Sequence, residues 1–251
     1  MKADTACLSK TGGRKVNQDA YGYEESGFGS CWAVADGLGG HAGGEIASRM
    51  AIDAVLPLFR DEKTFSRKGM EDCFTKAQEA IRDKVAEDNA LSGMRTTLVL
   101  LACSRENEIF WAHVGDSRLY WFRQGRIRQQ TRDHSVPQML VDAGKLKPEE
   151  IRGHEDQNRL TRAIGPVDAV RPAVLPEPFL LEEGDAALLC SDGIWTWILE
   201  QEMEAELRAA RSAEEWLTAL EKKVLARAEG NFDNYTAIAV LFQGVRKHDG
   251  P

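Results

Sequence analysis

Ser30-Cys31-Trp32-Ala33-Val34-Ala35 is an apolar run that stops at Asp36-Gly37, and Ala186-Ala187-Leu188-Leu189-Cys190 stops at Ser191-Asp192-Gly193 in the same way. Each run has the length of a buried strand and ends in turn residues. Outward from the first, Ala47, Met50, Ala54 and Leu58 recur at helical spacing, and Met70, Phe74, Ala77, Ile81 and Val85 repeat the pattern, so two consecutive helices are predicted. Strands are predicted over 20–23, 96–102, 108–114 and 118–123, with Gly115-Asp116-Ser117 read as the hairpin turn between the last two. Beyond the second run come two helical stretches near 200–210 and 213–228, then a closing strand over 235–242. Strands and helices are grouped rather than alternating. Grouping favours an α+β layered domain, with antiparallel sheets and helices packed outside, over a parallel doubly wound sheet.

The chain has 251 residues, enough for one well-buried domain. The expected division is a single domain over 1–245 and a C-terminal tail over 246–251. A flap subdomain is expected around 135–178, where the pattern weakens and charged residues and prolines collect. The net charge is −8, which argues against nucleic acid or an anionic membrane as a partner held by overall charge. No apolar run approaches the length of a membrane span, and Met1-Lys2-Ala3-Asp4 does not open a secretory signal. The five cysteines are scattered and form no C-x-x-C. Neither a disulfide framework nor a zinc site is expected, and a reducing cytoplasm is the expected location.

Short apolar runs repeatedly deliver an aspartate: Asp19 after Asn17-Gln18, Asp36, Asp116, Asp192, and Asp233 in Asn231-Phe232-Asp233-Asn234. Taken singly, each is an ordinary turn aspartate. Five with matching run-ins suggest convergence at one sheet edge. Repulsion and desolvation there must be relieved by raised pKa values or by a cation. Carboxylates with a backbone carbonyl, as at Gly37, are hard oxygen donors suited to Mg2+ or Mn2+ rather than zinc. Two such ions would acidify a bridging water and clamp phosphate oxygens. Arg14 precedes Asp19 closely and suits bidentate grip of a phosphate, its alternative being a solvated surface arginine. Gly37-Leu38-Gly39-Gly40 reads either as room for close approach to the backbone or as a flexible turn. Competing machinery is missing from the sequence: there is no C-x5-R loop, H-E-x-x-H, G-x-x-x-x-G-K-[ST] or G-x-S-x-G.

In order along the chain, Arg14-Lys15-Val16-Asn17-Gln18-Asp19, Val34-Ala35-Asp36-Gly37-Leu38-Gly39-Gly40-His41 with Gly44-Glu45, and Arg95-Thr96-Thr97 are followed by five further pieces. These are His113-Val114-Gly115-Asp116-Ser117-Arg118, Asp133-His134-Ser135, Leu160-Thr161-Arg162-Ala163-Ile164-Gly165, Ser191-Asp192-Gly193 and Asp233-Asn234-Tyr235-Thr236. The series resembles the PP2C-like (PPM) metal-dependent serine/threonine phosphatases in their compact bacterial form.

The resemblance implies a four-layer α-β-β-α sandwich of two antiparallel sheets flanked by helices. It implies hydrolysis of phosphoserine and phosphothreonine by a metal-activated water, without a phosphoenzyme. By resemblance, Asp36 bridges two metals (Mn2+ or Mg2+) with the Gly37 carbonyl assisting. Asp192 and Asp233 bind one of them, and Asp19 acts through ordered water. Asp116 with Asp192 holds a third, weaker ion; Arg14 binds the substrate phosphate; Thr97 and Asn234 support the ligands. Leu38 stands where some members carry a histidine credited as the general acid; a metal-bound water can serve instead, and His41 is the candidate substitute, its alternative being a local structural role. Phosphorylated proteins are the implied substrates, a bacterial Ser/Thr kinase the implied counterpart, and a monomer the expected state. Two other readings stand beside this one: a non-catalytic binding module of the same fold, and the same chemistry on a small phosphorylated metabolite.

Overall fold

Burial alternates along the apolar runs, and that alternation sets the layers. The computed structural model describes residues 2–39, 43–167, 169–228, 230 and 232–243. In chain order its strands and helices are β1 (Lys2–Lys10), β2 (Asp19–Ser26), β3 (Gly29–Leu38), α1 (Gly43–Val55), α2 (Arg67–Glu87), β4 (Arg95–Thr96), β5 (Leu98–Ser104), β6 (Glu108–Val114), β7 (Arg118–Arg123) and β8 (Arg126–Gln130). They continue as α3 (Val136–Asp142), β9 (Ala173–Val174), β10 (Phe179–Leu180), β11 (Ala186–Cys190), α4 (Asp192–Trp195), α5 (Glu200–Ala209), α6 (Ala213–Arg227) and β12 (Tyr235–Gln243).

Two antiparallel sheets result. One runs β1-β12-β11-β7-β8; the other runs β10-β6-β5-β3-β2, with β4 added to β3 and β9 to β6. Trp32 and Val34 of β3, and Val99 and Leu101 of β5, point between the sheets to meet Leu119, Trp121, Leu189, Ile238 and Val240 of the other. Their neighbours Ala33, Ala35, Leu100 and Ala102 point outward onto α1 and α2, against Ala47, Ala51, Phe74 and Ile81. On the opposite outer face Leu188, Ala237 and Ala239 meet Trp216, Leu220 and Val224 of α6. Central strands are therefore buried on both faces and read as continuous apolar runs rather than as alternation. The outer layers are amphipathic helices, of which α2 and α6 are started by serine caps: Ser66 accepts from the Gly69 amide and Ser212 from the Glu215 amide.

The α+β reading and the four-layer order agree with this arrangement. Three readings change. Gly115-Asp116-Ser117 is not a hairpin turn, because β6 pairs with β5 and β7 with β11, in different sheets. The segment is the step from one sheet to the other, and it places Asp116 between them at one end. The predicted strand over 96–102 is two strands, broken at Thr97, whose backbone turns to bond Asp36. Strands β1 and β8 were not anticipated. Both are outer strands of one sheet and carry polar residues that face water, so neither shows an apolar signature.

Leu101 is completely buried between the sheets. Leu101→Ala should cost about 2–5 kcal/mol of unfolding free energy, read from urea midpoints. Leu225→Ala, on an exposed side chain of α6, should shift stability by no more than about 0.5 kcal/mol. Equal effects would contradict the assignment of the intersheet layer as the core.

Candidate metal centre

The sandwich ends in a set of backbone clamps. Asp19 and Asp36 are directly opposite one another in the β2–β3 register. Thr97 holds Asp36 from both sides of its peptide: the Asp36 amide donates to Thr97 Oγ1 at 2.9 Å, and the Thr97 amide donates to the Asp36 carbonyl at 2.8 Å. Thr96 Oγ1 donates to that same carbonyl, and Thr97 Oγ1 also shares a hydrogen bond of 2.7 Å with Ser117 Oγ beside Asp116. Three stretches distant in sequence are thereby locked together.

Asn234 does the same for the loop that carries Arg14. Its Oδ1 accepts from the Gln18 amide, and its Nδ2 donates to the carbonyls of Thr11 and Val16. Space is as decisive as hydrogen bonding. A Cβ added at Gly37 would lie 2.0 Å from the Gly44 carbonyl oxygen, and one at Gly193 would lie 2.0 Å from that of Asn234. Only glycine lets β3 approach α1, and α4 approach the segment before β12, this closely.

Four of the five aspartates, Asp36, Asp116, Asp192 and Asp233, line one cavity of about 380 Å³, together with Gly37 and Arg14. Asp19 sits behind it, buried, its Oδ2 accepting from Ser191 Oγ at 2.7 Å. That bond ties the two sheets at the site, because Ser191 also accepts from the Thr236 amide. The cavity mouth carries the ion pair Arg14 Nη2–Asp233 Oδ2 at 3.0 Å, with both side chains well exposed. His41 and the tail over 246–251 lie outside the described residues.

The carboxylates repel one another. Asp36 is held well above the usual carboxylate range, first by burial and then by Asp19, Asp192, Asp116 and Asp233. Asp192 is also pushed well up, by burial and then by Asp116, Asp233 and Asp19. Burial, with Asp133 next, raises Asp116 to about 7. Asp19 is raised to about 6, burial outweighing the Ser191 hydrogen bond that opposes it. Carboxyl groups raised mainly by burial and by one another favour either a bound proton or a divalent cation. The donors lining the cavity are carboxylate and carbonyl oxygens, with no histidine or cysteine among the described residues, so the set fits a hard cation. Among the described residues no three such side chains stand in ready ligating contact. Four of the acids line a common space, and Asp19 lies close enough behind it to hydrogen-bond with Asp36.

Sequence reasoning gave no role to the support beneath Asp116. Arg118 makes a buried bidentate pair with Asp133, at 2.8 and 2.7 Å, and its guanidinium lies 3.6 Å from the centre of the Trp195 ring. Trp195 Nε1 in turn donates to the Asp116 carbonyl. Ser191 was likewise unassigned, although it adjoins Asp192. A signal was present, since Asp133 and Ser191 both fall within the quoted motifs. Asn158 and Leu160, on the cavity rim, had no separate signal.

The model of the protein phosphatase 2C family matches residues 9–229. The chain belongs to that family. Protein phosphatase PhpP of Streptococcus pneumoniae is 36% identical over 173 residues, 68% of this chain and 69% of PhpP. The crystal structure of the Mycobacterium tuberculosis serine/threonine phosphatase PstP/Ppp superposes with a TM-score of 0.85 at 30% identity, covering 96% of this chain and 99% of that one. The catalytic domain of PstP in complex with two manganese ions gives 0.82 at 30% identity, over 96% and 99%. With fold and family in agreement, the chain is a metal-dependent protein serine/threonine phosphatase.

The repulsion predicts a pH signature. A carboxyl raised in the fold stabilises it fully below the unfolded pKa, and that stability is lost as pH rises through the folded value. In a chelator, Asp36→Asn should therefore melt above the wild type at pH 7.5, by a margin that narrows toward pH 5. His113 and His134, both lowered by burial, are present in both proteins and largely cancel in the difference. A wild type more stable than the variant at pH 7.5 would contradict the crowding.

Proposed function

We propose that Asp36, Asp192 and Asp233 hold two divalent cations, Mn2+ or Mg2+, with the Gly37 carbonyl assisting and Asp19 acting from behind through ordered water. Asp116 with Asp192 would hold a third, weaker ion. What supports this reading is that a single cavity gathers four of these carboxylates, while a fifth is bonded directly beneath them. When bound, such ions supply a water of lowered pKa and offset the charge of the phosphoryl oxygens.

The chain's own residues do the rest. Arg14 stands at the mouth, where its exposed pair with Asp233 is weak enough to yield to a phosphate that the guanidinium can grip with two parallel hydrogen bonds. Thr97 and Asn234 act as positioning residues, fixing the Asp36 peptide and the Arg14 loop. No serine, threonine, cysteine or histidine is among the described residues lining the cavity. With the lining carboxylates held by the cations rather than free to form an aspartyl phosphate, that supports attack by water on phosphoserine or phosphothreonine without a phosphoenzyme. The side chain at Leu38 carries no proton to give to the departing oxygen, so that role falls to a water acidified by the cations or to His41 as its substitute.

The proposed unit is one phosphatase domain over 1–245 with a flap at 135–178 beside the site, followed by a tail over 246–251. It acts as a cytoplasmic monomer on phosphoproteins, opposing a bacterial Ser/Thr kinase. No helix among the described residues is long and apolar enough to cross a membrane.

Phosphate release from a phosphothreonine peptide should require Mn2+ or Mg2+ and stop with EDTA. Asp36→Asn and Asp192→Asn should each lower kcat by at least about a hundredfold, and Asn234→Ala by about 10–100-fold. Full turnover in Asp36→Asn would overturn the assignment.

A further inference from the structure

Beside the aspartate cavity lies a second, larger groove of about 810 Å³, and its charge is opposite. Arg95, Arg159, Arg162 and Arg171 line it, and no lining residue among those described is acidic. The two spaces are continuous: Leu38, Gly39, Asn158 and Leu160 border both. On a chain of net charge −8, four cations gathered with no acid among the described lining residues form a local reversal of sign.

The guanidinium groups are available. Arg95, Arg162 and Arg171 make no ion pair among the described residues, and Arg159 has only a loose contact of 3.8 Å with Asp156. Two of them are anchored by other means. A Cβ built on Gly165 would lie 3.0 Å from Arg95 Cγ, so the stem of that arginine rests on the Gly165 backbone. The Gly165 carbonyl is itself held by Gln78 Nε2 at 2.8 Å. Arg162 Nη1 is within 3.3 Å of His134 Nε2 and 3.4 Å of the Arg171 carbonyl. Arginines anchored by neutral groups keep their charge for a ligand, and their fork suits carboxylate and phosphate alike.

We propose that this groove is an anion subsite for the substrate segment flanking the phosphorylated residue. It selects phosphoproteins that carry further negative charge, a carboxylate or a second phosphate, within a few residues of the phosphoserine or phosphothreonine. The inference rests on the reading of the aspartate cavity as the phosphoryl site. A long polyanion spanning both spaces would meet the aspartates, whereas a short peptide sets one phosphate over the cations and its remaining charge over the arginines. Exposed pairs of this kind are individually weak, so several must act together, and salt must weaken them.

The test compares kcat/KM, in Mn2+, for three phosphothreonine peptides of one sequence: with neutral flanks, with flanking glutamates, and with a neighbouring non-hydrolysable phosphonate analogue of phosphothreonine. Wild type should favour at least one anionic peptide by about tenfold, mainly through KM, with the preference falling as salt rises. Preference for the phosphonate alone identifies a second phosphate as the ligand; preference for both identifies negative charge in general. Arg95→Glu and Arg171→Glu should abolish or invert the ratio, and the neutral peptide corrects for any loss of folded protein. Equal turnover of all three peptides by the wild type overturns the subsite and leaves the phosphatase reading standing. Metal-dependent turnover of none overturns both.

Discussion

Mutual repulsion among half-buried and buried aspartates is the constraint on which the rest of this structure depends. A fold gains nothing by crowding carboxylates at the end of two sheets, where burial and neighbouring charge both oppose ionisation. The arrangement persists because rigid parts hold it: the Thr97 clamp on the Asp36 peptide, the Asn234 bonds to the Arg14 loop, and the Ser191–Asp19 bond between the sheets. The cost of assembling like charges is held by hydrogen bonds whose partners are far apart in sequence, and a cation bound as proposed would relieve it. Stability and activity thus meet in the same few groups.

The sandwich serves this purpose by its geometry. Strands from both sheets end at one edge, and each contributes an aspartate from a position fixed by a core on either side. Asp36 follows the run that packs against Trp121 and Ile238, and Asp192 opens α4 just after β11. The step from β6 to β7 carries Asp116 across the gap, and Arg118, Asp133 and Trp195 brace it from beneath. A site built from strand ends in this way is positioned by the whole core, while the groove beside it is lined largely by connecting segments, whose residues can change without disturbing the acids.

Much of this was legible in the sequence because central strands are buried on both faces and announce themselves as apolar runs. The helices were legible for the complementary reason, a one-sided apolar stripe at helical spacing. Edge strands β1 and β8 were not, since half of each faces water and its composition resembles a loop. The hairpin reading of 115–117 failed because a glycine-aspartate-serine turn is equally suited to joining neighbours in one sheet and to stepping between sheets. Which occurs is decided by pairing with β5 and β11, a long-range fact. The aspartates were visible as residue types, and their matching run-ins suggested convergence at one sheet edge; which of them share one cavity and which sits behind it is decided only by the packing of distant strands. Arg159, Arg162 and Arg171 stand close together within the charged stretch over 135–178, but nothing local joins the distant Arg95 to them.

The most direct test of the central claim is calorimetric titration of chelator-treated protein with Mn2+ near neutral pH. The account predicts at least two Mn2+ bound per chain, with protons released as carboxyls exchange them for the cation, and loss of binding in Asp36→Asn and Asp192→Asn. Binding of Mn2+ with unchanged stoichiometry and affinity in either variant, or no binding to the wild type, would contradict it.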